Sequence, residues 1–408
     1  MWVLPTPGFA RYHAALTVPY GALDLRYRMD GREVTLPPGI AHFLEHQVFS
    51  SERGDAFEEF ARLGASANAF TSYDQTTYLF STTDRFHECL ALLLSFLQEP
   101  AFSRRGVEKE KSIIEQEIRM YDDMPTVRGS RNLREALYSD HPLRYDVGGS
   151  VDSIQLIDAD MLRQVHDTFY HPARMILFVA GDLEPASLMQ HVEAVPSRDW
   201  GKPVTIQRHR YVEPGGVLRP LVEVWLPASI PFLQVGFRDA RLPSDRREVA
   251  RREILAGLIH YCLFGKTSDL YWDLYQSGLA GNAFSAGYEA GDDYGLTVVA
   301  AETEDPRKTA DKVLATVEAA QATGLDEDSL ERARKKMLGN LVSMFNHPES
   351  VGQTVVSQLL QGLGPLELLD MVAGVTPAEA NRRLLDFMDP RSHAVSIVWP
   401  ASPGGTGG

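Results

Sequence analysis

His42-Phe43-Leu44-Glu45-His46 is the stretch that decides how this chain of 408 residues is interpreted. On a helix, residues i, i+3 and i+4 share one face, so both imidazoles and the carboxylate lie around one point. Two neutral histidines four residues apart can each direct a ring nitrogen at one Zn²⁺ ion, with Glu45 beside an open coordination position. The pattern HxxEH is the inverted form of the commoner HExxH motif of zinc peptidases. The stretch therefore predicts a catalytic metal site.

The apolar neighbours of this motif indicate a helix that is otherwise buried. Ile40, Phe43, Leu44 and Val48 surround the polar trio. The alternative is an exposed helix that happens to carry polar residues. Buried imidazoles and a buried carboxylate need a partner, and a metal ion supplies one. We therefore expect a third ligand elsewhere in the chain.

The segment from 108 to 121 offers the best candidates for that ligand. Glu110 and Glu117 are two turns apart on one side of a predicted helix that also carries isoleucines. Spacing alone does not separate Glu117 from Glu110 or Glu115 as the ligand. The alternative is a charged helix with acidic side chains on the surface.

Several further stretches resemble the pitrilysin/insulinase family of inverted zinc peptidases, over nearly the whole chain. They are HFLEH with Phe49, Gly64 to Ser72, Glu110 to Pro125, His141-Pro142, Phe169 to Pro172, and Ile176 to Asp182. The length is similar to that of the small bacterial members that resemble processing peptidases. This resemblance implies an α+β fold of two homologous halves, each a mixed or antiparallel sheet flanked by helices, which together form half of a clamshell chamber.

Carried over residue by residue, the resemblance implies a zinc endopeptidase site. It makes His42, His46 and Glu117 the zinc ligands, Glu45 the general base and Glu110 an acid that supports catalysis. A zinc ion in such a site activates water for attack on a peptide carbonyl, and a carboxylate within hydrogen-bond reach takes up the proton.

The same resemblance implies that the substrate binds at an edge strand. The strand contains Ala67, Asn68, Ala69 and Phe70, and an extended peptide would add to it through main-chain hydrogen bonds. For Asn68 the alternative is an ordinary turn residue. Because main-chain bonding ignores side chains, we expect short or unfolded peptides as substrates.

An internal repeat supports a duplicated architecture. Gly64 to Phe70 recurs as Gly278 to Phe284, at an offset of 214 residues. We expect a zinc-binding domain at 1–200, a Pro- and Gly-rich linker at 201–220, a homologous domain without a metal site at 221–400, and a flexible tail at 401–408. The second half has no HxxEH, and His260 on its matching apolar helix is expected to be a core histidine.

The second half departs from the family at a substrate clamp. Related single-chain and homodimeric enzymes carry an Arg and a Tyr there, whereas Tyr275 holds the arginine position and Gly281 or Asn282 the tyrosine position. Loss of such oxyanion donors typically costs a factor of about 10² to 10³ in rate. We therefore expect a heterodimer with a homologous subunit that carries the Arg/Tyr pair, with a homodimer as the alternative. A non-catalytic scaffold or peptide-binding subunit is the alternative function.

Composition limits the remaining possibilities. The chain is 44% hydrophobic, but no apolar run reaches the length of about 18 residues that a membrane span needs. The net charge of −15 argues against a nucleic-acid partner. The N-terminus lacks the features of a signal peptide, so a cytoplasmic location is expected. Cys89 and Cys262 do not suggest a disulfide framework.

Overall fold

Among the residues that this computed structural model describes (1–51, 54–98, 100, 102–239, 243, 245–279, 283–364 and 366–401), two five-stranded sheets flanked by helices form the fold. The predicted α+β class is confirmed. Residues 402–408 of the predicted tail lie outside the described part of the chain.

The strands are mostly short, four to eight residues long, as is usual in globular proteins. In chain order they are β1 (Trp2–Pro5), β2 (Tyr12–Val18), β3 (Arg26–Met29), β4 (Arg32–Thr35), β5 (Ser50–Ser51), β6 (Gly54–Asp55), β7 (Ser66–Thr71), β8 (Thr76–Thr82), β9 (Ile176–Gly181), β10 (Ile206–Arg208), β11 (Leu221–Leu226), β12 (Phe232–Arg238), β13 (Ser285–Ala290), β14 (Gly295–Glu302) and β15 (His393–Pro400).

The helices fall between the strands and cover the sheets. They are α1 (Ile40–Phe49), α2 (Ala56–Arg62), α3 (Phe86–Gln98), α4 (Arg104–Asp122), α5 (Pro125–Leu137), α6 (Val151–Gln155), α7 (Ala159–Phe169), α8 (Pro185–Ala194), α9 (Arg246–Phe264), α10 (Asp269–Gln276), α11 (Pro306–Thr323), α12 (Glu327–Ser343), α13 (Pro348–Leu360), α14 (Glu367–Ala373) and α15 (Pro377–Phe387). No helix in the described ranges is both long enough and apolar enough to cross a membrane.

The two large sheets have the same topology. The first is ordered β1-β9-β2-β8-β7 and the second β11-β15-β12-β14-β13. In each sheet the outermost pair named first is parallel and the other pairs are antiparallel. This identity of order and direction agrees with a duplicated unit.

The repeat in the sequence is displaced from the repeat in the strands. Gly64 and Gly278 both have a positive φ, at 79° and 71°, just after a helix. However, β7 begins two residues after Gly64, whereas β13 begins seven residues after Gly278. The equivalence of Asn68 to Phe70 with Asn282 to Phe284 is therefore wrong by five positions, because the connection before β13 is longer.

Alternation along β2 and β8 gives the first sheet two different faces. Ala14, Leu16 and Val18 on β2 pack into a core with Tyr78 and Phe80 on β8. The intervening residues of β2 point to the opposite face, since successive side chains of a strand alternate. One face of the sheet thus carries the helix α1 that bears the HxxEH motif, and contacts β7 and β8.

The two compact units of the chain exchange helices. The first unit comprises 1–118, 145–209 and 344–360, and the second comprises 119–144, 210–343 and 361–408. Helix α5 thus belongs to the second unit, where it packs on β12 and β15, and α13 belongs to the first, where it packs on β9 and β2. The expected boundary at 201–220 stays a prediction, and it does not include this exchange.

Candidate metal centre

Helix α1 holds the HxxEH residues against the interior of the first unit. Its apolar side chains, including Ile40, Phe43 and Leu44, are fully buried, as the sequence predicted. The helix begins after Gly39, whose φ is +90° and whose position would bring an added Cβ to 2.6 Å from the carbonyl oxygen of Gly148. Only glycine fits this crossing without strain. The start of α1 is therefore fixed by a close backbone contact.

The structure brings His42, His46 and Glu117 together. One ligand atom from each lies within 4.8 Å of the others. Nε2 of His42 is 3.7 Å from Glu117 Oε1, and Nε2 of His46 is 3.5 Å from Glu117 Oε2. These distances exceed those of hydrogen bonds. They are close to the ligand separation of about 3.3 Å that follows from tetrahedral Zn–N and Zn–O bonds of about 2 Å. The donor set therefore fits a zinc ion.

Glu110 lies behind His46. Its Oε1 is 2.9 Å from His46 Nδ1 and its side chain is buried. Because a carboxylate only accepts, Nδ1 carries the hydrogen and Nε2 keeps its lone pair for a metal. Among the described residues, Glu115 is not a member of the metal-binding group. The geometry thus distinguishes three glutamates that spacing along the helix left equivalent.

Electrostatics differ between the two histidines. Burial, with a smaller contribution from His46, lowers the pKa of His42 to about 3, so its imidazole is neutral at physiological pH. Burial also disfavours charge on His46, but the hydrogen bond from Glu110 and the nearby carboxylates outweigh it and raise the pKa of His46. His42 Nδ1 is buried and has no hydrogen-bond partner in the described part of the chain. The imidazole of His42 is therefore set up to donate its lone pair.

Glu45 lies beside this group and is held by the edge strand. Thr71 Oγ1 donates a hydrogen bond to Glu45 Oε2 at 2.7 Å. Burial raises the pKa of Glu45, and the bond from Thr71 opposes this shift. A carboxylate whose pKa lies closer to neutrality is a more effective general base. Thr71 was not among the predicted site residues, although strand alternation places it on the opposite face from Phe70 and thus toward α1.

The predicted substrate residues lie on an edge strand. Ala67, Asn68, Ala69 and Phe70 all belong to β7, which is last in the sheet order and pairs with β8 in the described part of the chain. Asn68 is exposed and its Oδ1 accepts a hydrogen bond from the backbone N–H of Ala69 at 2.9 Å. The alternative of a turn at Asn68 is thus wrong.

The second unit has no counterpart of this metal group among its described residues. His260 is buried, and its Nε2 is 3.3 Å from Thr297 Oγ1, which confirms the prediction of a core histidine. Tyr275, at the arginine position of the expected clamp, is 56% exposed near the end of α10. Gly281 and Asn282, at the tyrosine position, lie outside the described residues.

Comparisons with known proteins agree with the fold and with this site. The model of the insulinase family (peptidase family M16) matches residues 32–150, and that of the M16 inactive domain matches residues 156–337. An uncharacterized zinc protease of Bacillus subtilis, YmfH, is 34% identical over 382 residues, which are 92% of this chain and 88% of that protein. A protein of Schizosaccharomyces pombe named as mitochondrial-processing peptidase subunit beta is 32% identical over 160 residues, covering 38% of this chain and 35% of that protein.

A solved structure extends the likeness to the whole fold. The crystal structure of an M16-like peptidase from Alicyclobacillus acidocaldarius superimposes with a TM-score of 0.94 at 31% identity, and the match covers 98% of this chain and 95% of that chain. Sequence and structure thus agree over both halves, and the chain belongs to the insulinase family of peptidases, family M16.

Proposed function

We propose that this chain is the catalytic subunit of a zinc-dependent endopeptidase that hydrolyses short or unfolded peptides in a closed chamber. The observation that carries the proposal is the convergence of His42, His46 and Glu117 beside a fourth group, Glu45, that is held at a defined angle by Thr71. A merely structural metal site would be closed by four protein ligands, whereas a catalytic site keeps one position open.

The proposed roles follow from the chemistry of each group. When bound, Zn²⁺ supplies a Lewis acid and lowers the pKa of a water molecule. His42, His46 and Glu117 would hold the ion, and Glu110 would fix the tautomer and orientation of His46. Glu45 would accept the proton of the attacking water and return it to the leaving amine. Because Thr71 bonds Oε2, we assign the proton transfer to Oε1.

Strand β7 is the proposed binding site for the peptide backbone. Its outer edge offers the N–H and C=O groups of Ala67 to Phe70, to which an extended segment would add as a further strand. Such a mode selects extended chains and gives little discrimination among sequences by itself. Folded proteins would be excluded because their strands are already paired.

A homologous partner is part of the proposal. Tyr275 stands where related enzymes hold an arginine, and a tyrosine side chain does not supply the bidentate guanidinium fork. The likeness to a protein named as a subunit of a processing peptidase supports a heterodimer, in which the other subunit carries the Arg/Tyr pair. A homodimer is the alternative arrangement. A cytoplasmic location likewise remains a prediction.

One observation favours a second function. The second half matches a domain that is described as inactive in this family, and it carries Tyr275 in place of the arginine. A scaffold or peptide-binding subunit would combine these features with no turnover. Metal content distinguishes the two functions, because a scaffold has no reason to retain one zinc ion per chain.

The test is hydrolysis of a pool of unstructured, dye-labelled peptides. The zinc-loaded chain is assayed alone and then with a homologue that carries the Arg/Tyr pair. Cleavage in the mixture alone supports the heterodimer, and cleavage by the chain alone supports an enzyme that needs no partner. Absence of cleavage in both assays, together with less than one zinc per chain, contradicts the proposal and favours the scaffold.

A further inference from the structure

A second candidate site lies in the first unit, away from the metal-binding group. It is a cavity of about 380 Å³ between the sheet and helix α13. Its walls include His13 and Thr17 on β2, Thr77 on β8, Phe70 on β7, and Gln353 on α13. Nothing in the proposed mechanism uses this cavity.

The cavity opens on the face of the sheet opposite the general base. Phe70 pairs with Thr77, and Thr71 pairs with Thr76. Paired residues point to the same face of a sheet and successive residues to opposite faces. Since Thr71 contacts Glu45, Phe70 and the cavity lie on the other face. A peptide added to β7 would therefore direct alternate side chains toward Glu45 and toward this cavity.

His13 places a hydrogen-bond acceptor in the wall of the cavity. The residue is 3% exposed, and its Nδ1 is 3.0 Å from Ser81 Oγ. Ser81 donates its one hydroxyl hydrogen to Glu349 at 3.1 Å, so it accepts from His13 and Nδ1 carries the hydrogen. Nε2 therefore has the lone pair, and it is buried with no partner among the described residues.

The remaining walls exclude charged ligands. No Asp, Glu, Lys or Arg is among the described residues that line the cavity. Burial lowers the pKa of His13 to about 4, so this side chain is neutral as well. Ala15, Leu79 and Val356 supply apolar surface. A charged side chain would lose its hydration here without gaining a counter-ion.

We propose that this cavity binds a tyrosine or tryptophan side chain of the peptide on β7, with His13 Nε2 accepting the hydrogen bond from its O–H or N–H. These two side chains combine a large apolar body with a single polar donor, which matches the walls and the volume. The inference rests on the proposed function, because it takes β7 as the peptide site. It adds a preference that main-chain pairing does not provide.

The experiment measures binding rather than cleavage. Zinc-loaded Glu45→Gln protein is titrated into dye-labelled decapeptides of Gly, Ser and Ala that contain one Tyr, Phe or Lys, and anisotropy gives each Kd. We expect the Tyr peptide to bind about tenfold more tightly than the Phe peptide, which is the effect of one net hydrogen bond. The Lys peptide should bind more weakly than both. Equal or undetectable binding of the Tyr and Phe peptides overturns the proposal.

Two variants test the cavity itself. His13→Leu should bring the Kd of the Tyr peptide to that of the Phe peptide and leave the latter within about twofold. Gln353→Trp introduces bulk into the cavity from an exposed position of α13, so it should weaken binding of both aromatic peptides even if His13→Leu does not fold. Ser357→Trp, at an exposed site on the same helix that does not line the cavity, is the control and should bind as the parent does. Parent-like binding of the Tyr peptide by Gln353→Trp also overturns the proposal.

Failure of this inference differs from failure of the proposed function. If wild-type protein cleaves Tyr and Phe peptides alike and the Glu45→Gln protein binds them equally, only the cavity proposal is wrong. If the Tyr preference in binding is present but no peptide is cleaved, with or without the homologous subunit, the peptidase proposal is wrong and the cavity proposal stands.

Discussion

The hydroxyl of Thr71 donates a hydrogen bond to the carboxylate of Glu45 over 2.7 Å, and so joins the edge strand β7 to the helix α1. Thr76 Oγ1, 3.5 Å from Thr71 Oγ1, donates to the carbonyl of Tyr20 at 2.9 Å. The hydrogen of Thr71 is therefore directed to Glu45, its nearer acceptor. The strand proposed to bind the peptide thus also orients the proposed general base.

Thr71→Val should lower kcat about tenfold while KM and zinc content change little. The substitution conserves shape but removes the donor that holds Glu45, and a misoriented general base loses part of its usual contribution of about 10² to 10⁴. Thr71→Ser, which keeps the hydroxyl, is the matched control and should restore most of kcat. Steady-state kinetics and metal analysis of the three proteins check this. Full kcat in Thr71→Val contradicts the orienting role.

Substitutions at three glutamates of α4 should separate their roles in metal binding. Glu117→Ala should lose stoichiometric zinc, because it removes one of three protein ligands. Glu110→Gln should retain zinc with about 10- to 100-fold weaker affinity, since it alters the partner of His46. Glu115→Gln is the control and should bind zinc as the parent does. Competition with a chromophoric chelator measures all three affinities, and tight zinc binding by Glu117→Ala would refute the assigned ligand set.

Gly39→Ala should reduce the free energy of unfolding by about 3 kcal/mol. The added Cβ would lie 2.6 Å from the carbonyl oxygen of Gly148, and the φ of +90° is unfavourable for alanine. Gly31→Ala is the matched control: its φ is also positive, at +79°, but nothing lies within 4 Å of the added atom. It should cost only about 1 kcal/mol. Urea unfolding of both variants checks the difference, and equal losses would show that the crossing at Gly148 does not constrain α1.

The buried His260 should make the protein less stable as the pH falls. Burial lowers its pKa to about 3 in the folded protein, against 6.5 for the model value. Below pH 6.5 the unfolded chain takes up a proton that the folded protein does not, so stability present at higher pH is lost. For one such histidine the loss between pH 7 and pH 5 is about 2 kcal/mol. His260→Gln should reduce the measured dependence by that amount, and an unchanged dependence contradicts the assignment.

The local part of the site could be predicted from the sequence. The spacing of His42, Glu45 and His46 is a property of one helix, so helical geometry alone predicts their shared face. Glu117 was different, because Glu110 lies on the same side of α4 and Glu115 is near. Which carboxylate reaches the imidazoles depends on how two helices pack, and that information is not contained in the period of either helix.

Long-range features could not be predicted for the same reason. The bond from Thr71 to Glu45 depends on the placement of β7 beside α1, which a tight run of residues in one strand does not encode. The exchange of α5 and α13 between the units was not foreseen, because an apolar helix face does not specify which sheet it covers. The displaced repeat shows a further limit: a shared Asn-Ala-Phe was matched across a connection whose length differs by five residues.

The central claim is that Glu45 takes the proton in hydrolysis at a metal held by other residues. The most direct measurement compares peptide cleavage and zinc content for wild-type and Glu45→Gln proteins, each alone and with a homologous subunit that carries the Arg/Tyr pair. We predict one zinc per chain in both proteins, cleavage by the wild type, and a rate for Glu45→Gln that is lower by a factor of at least about 10². Cleavage by Glu45→Gln at the wild-type rate would contradict the account.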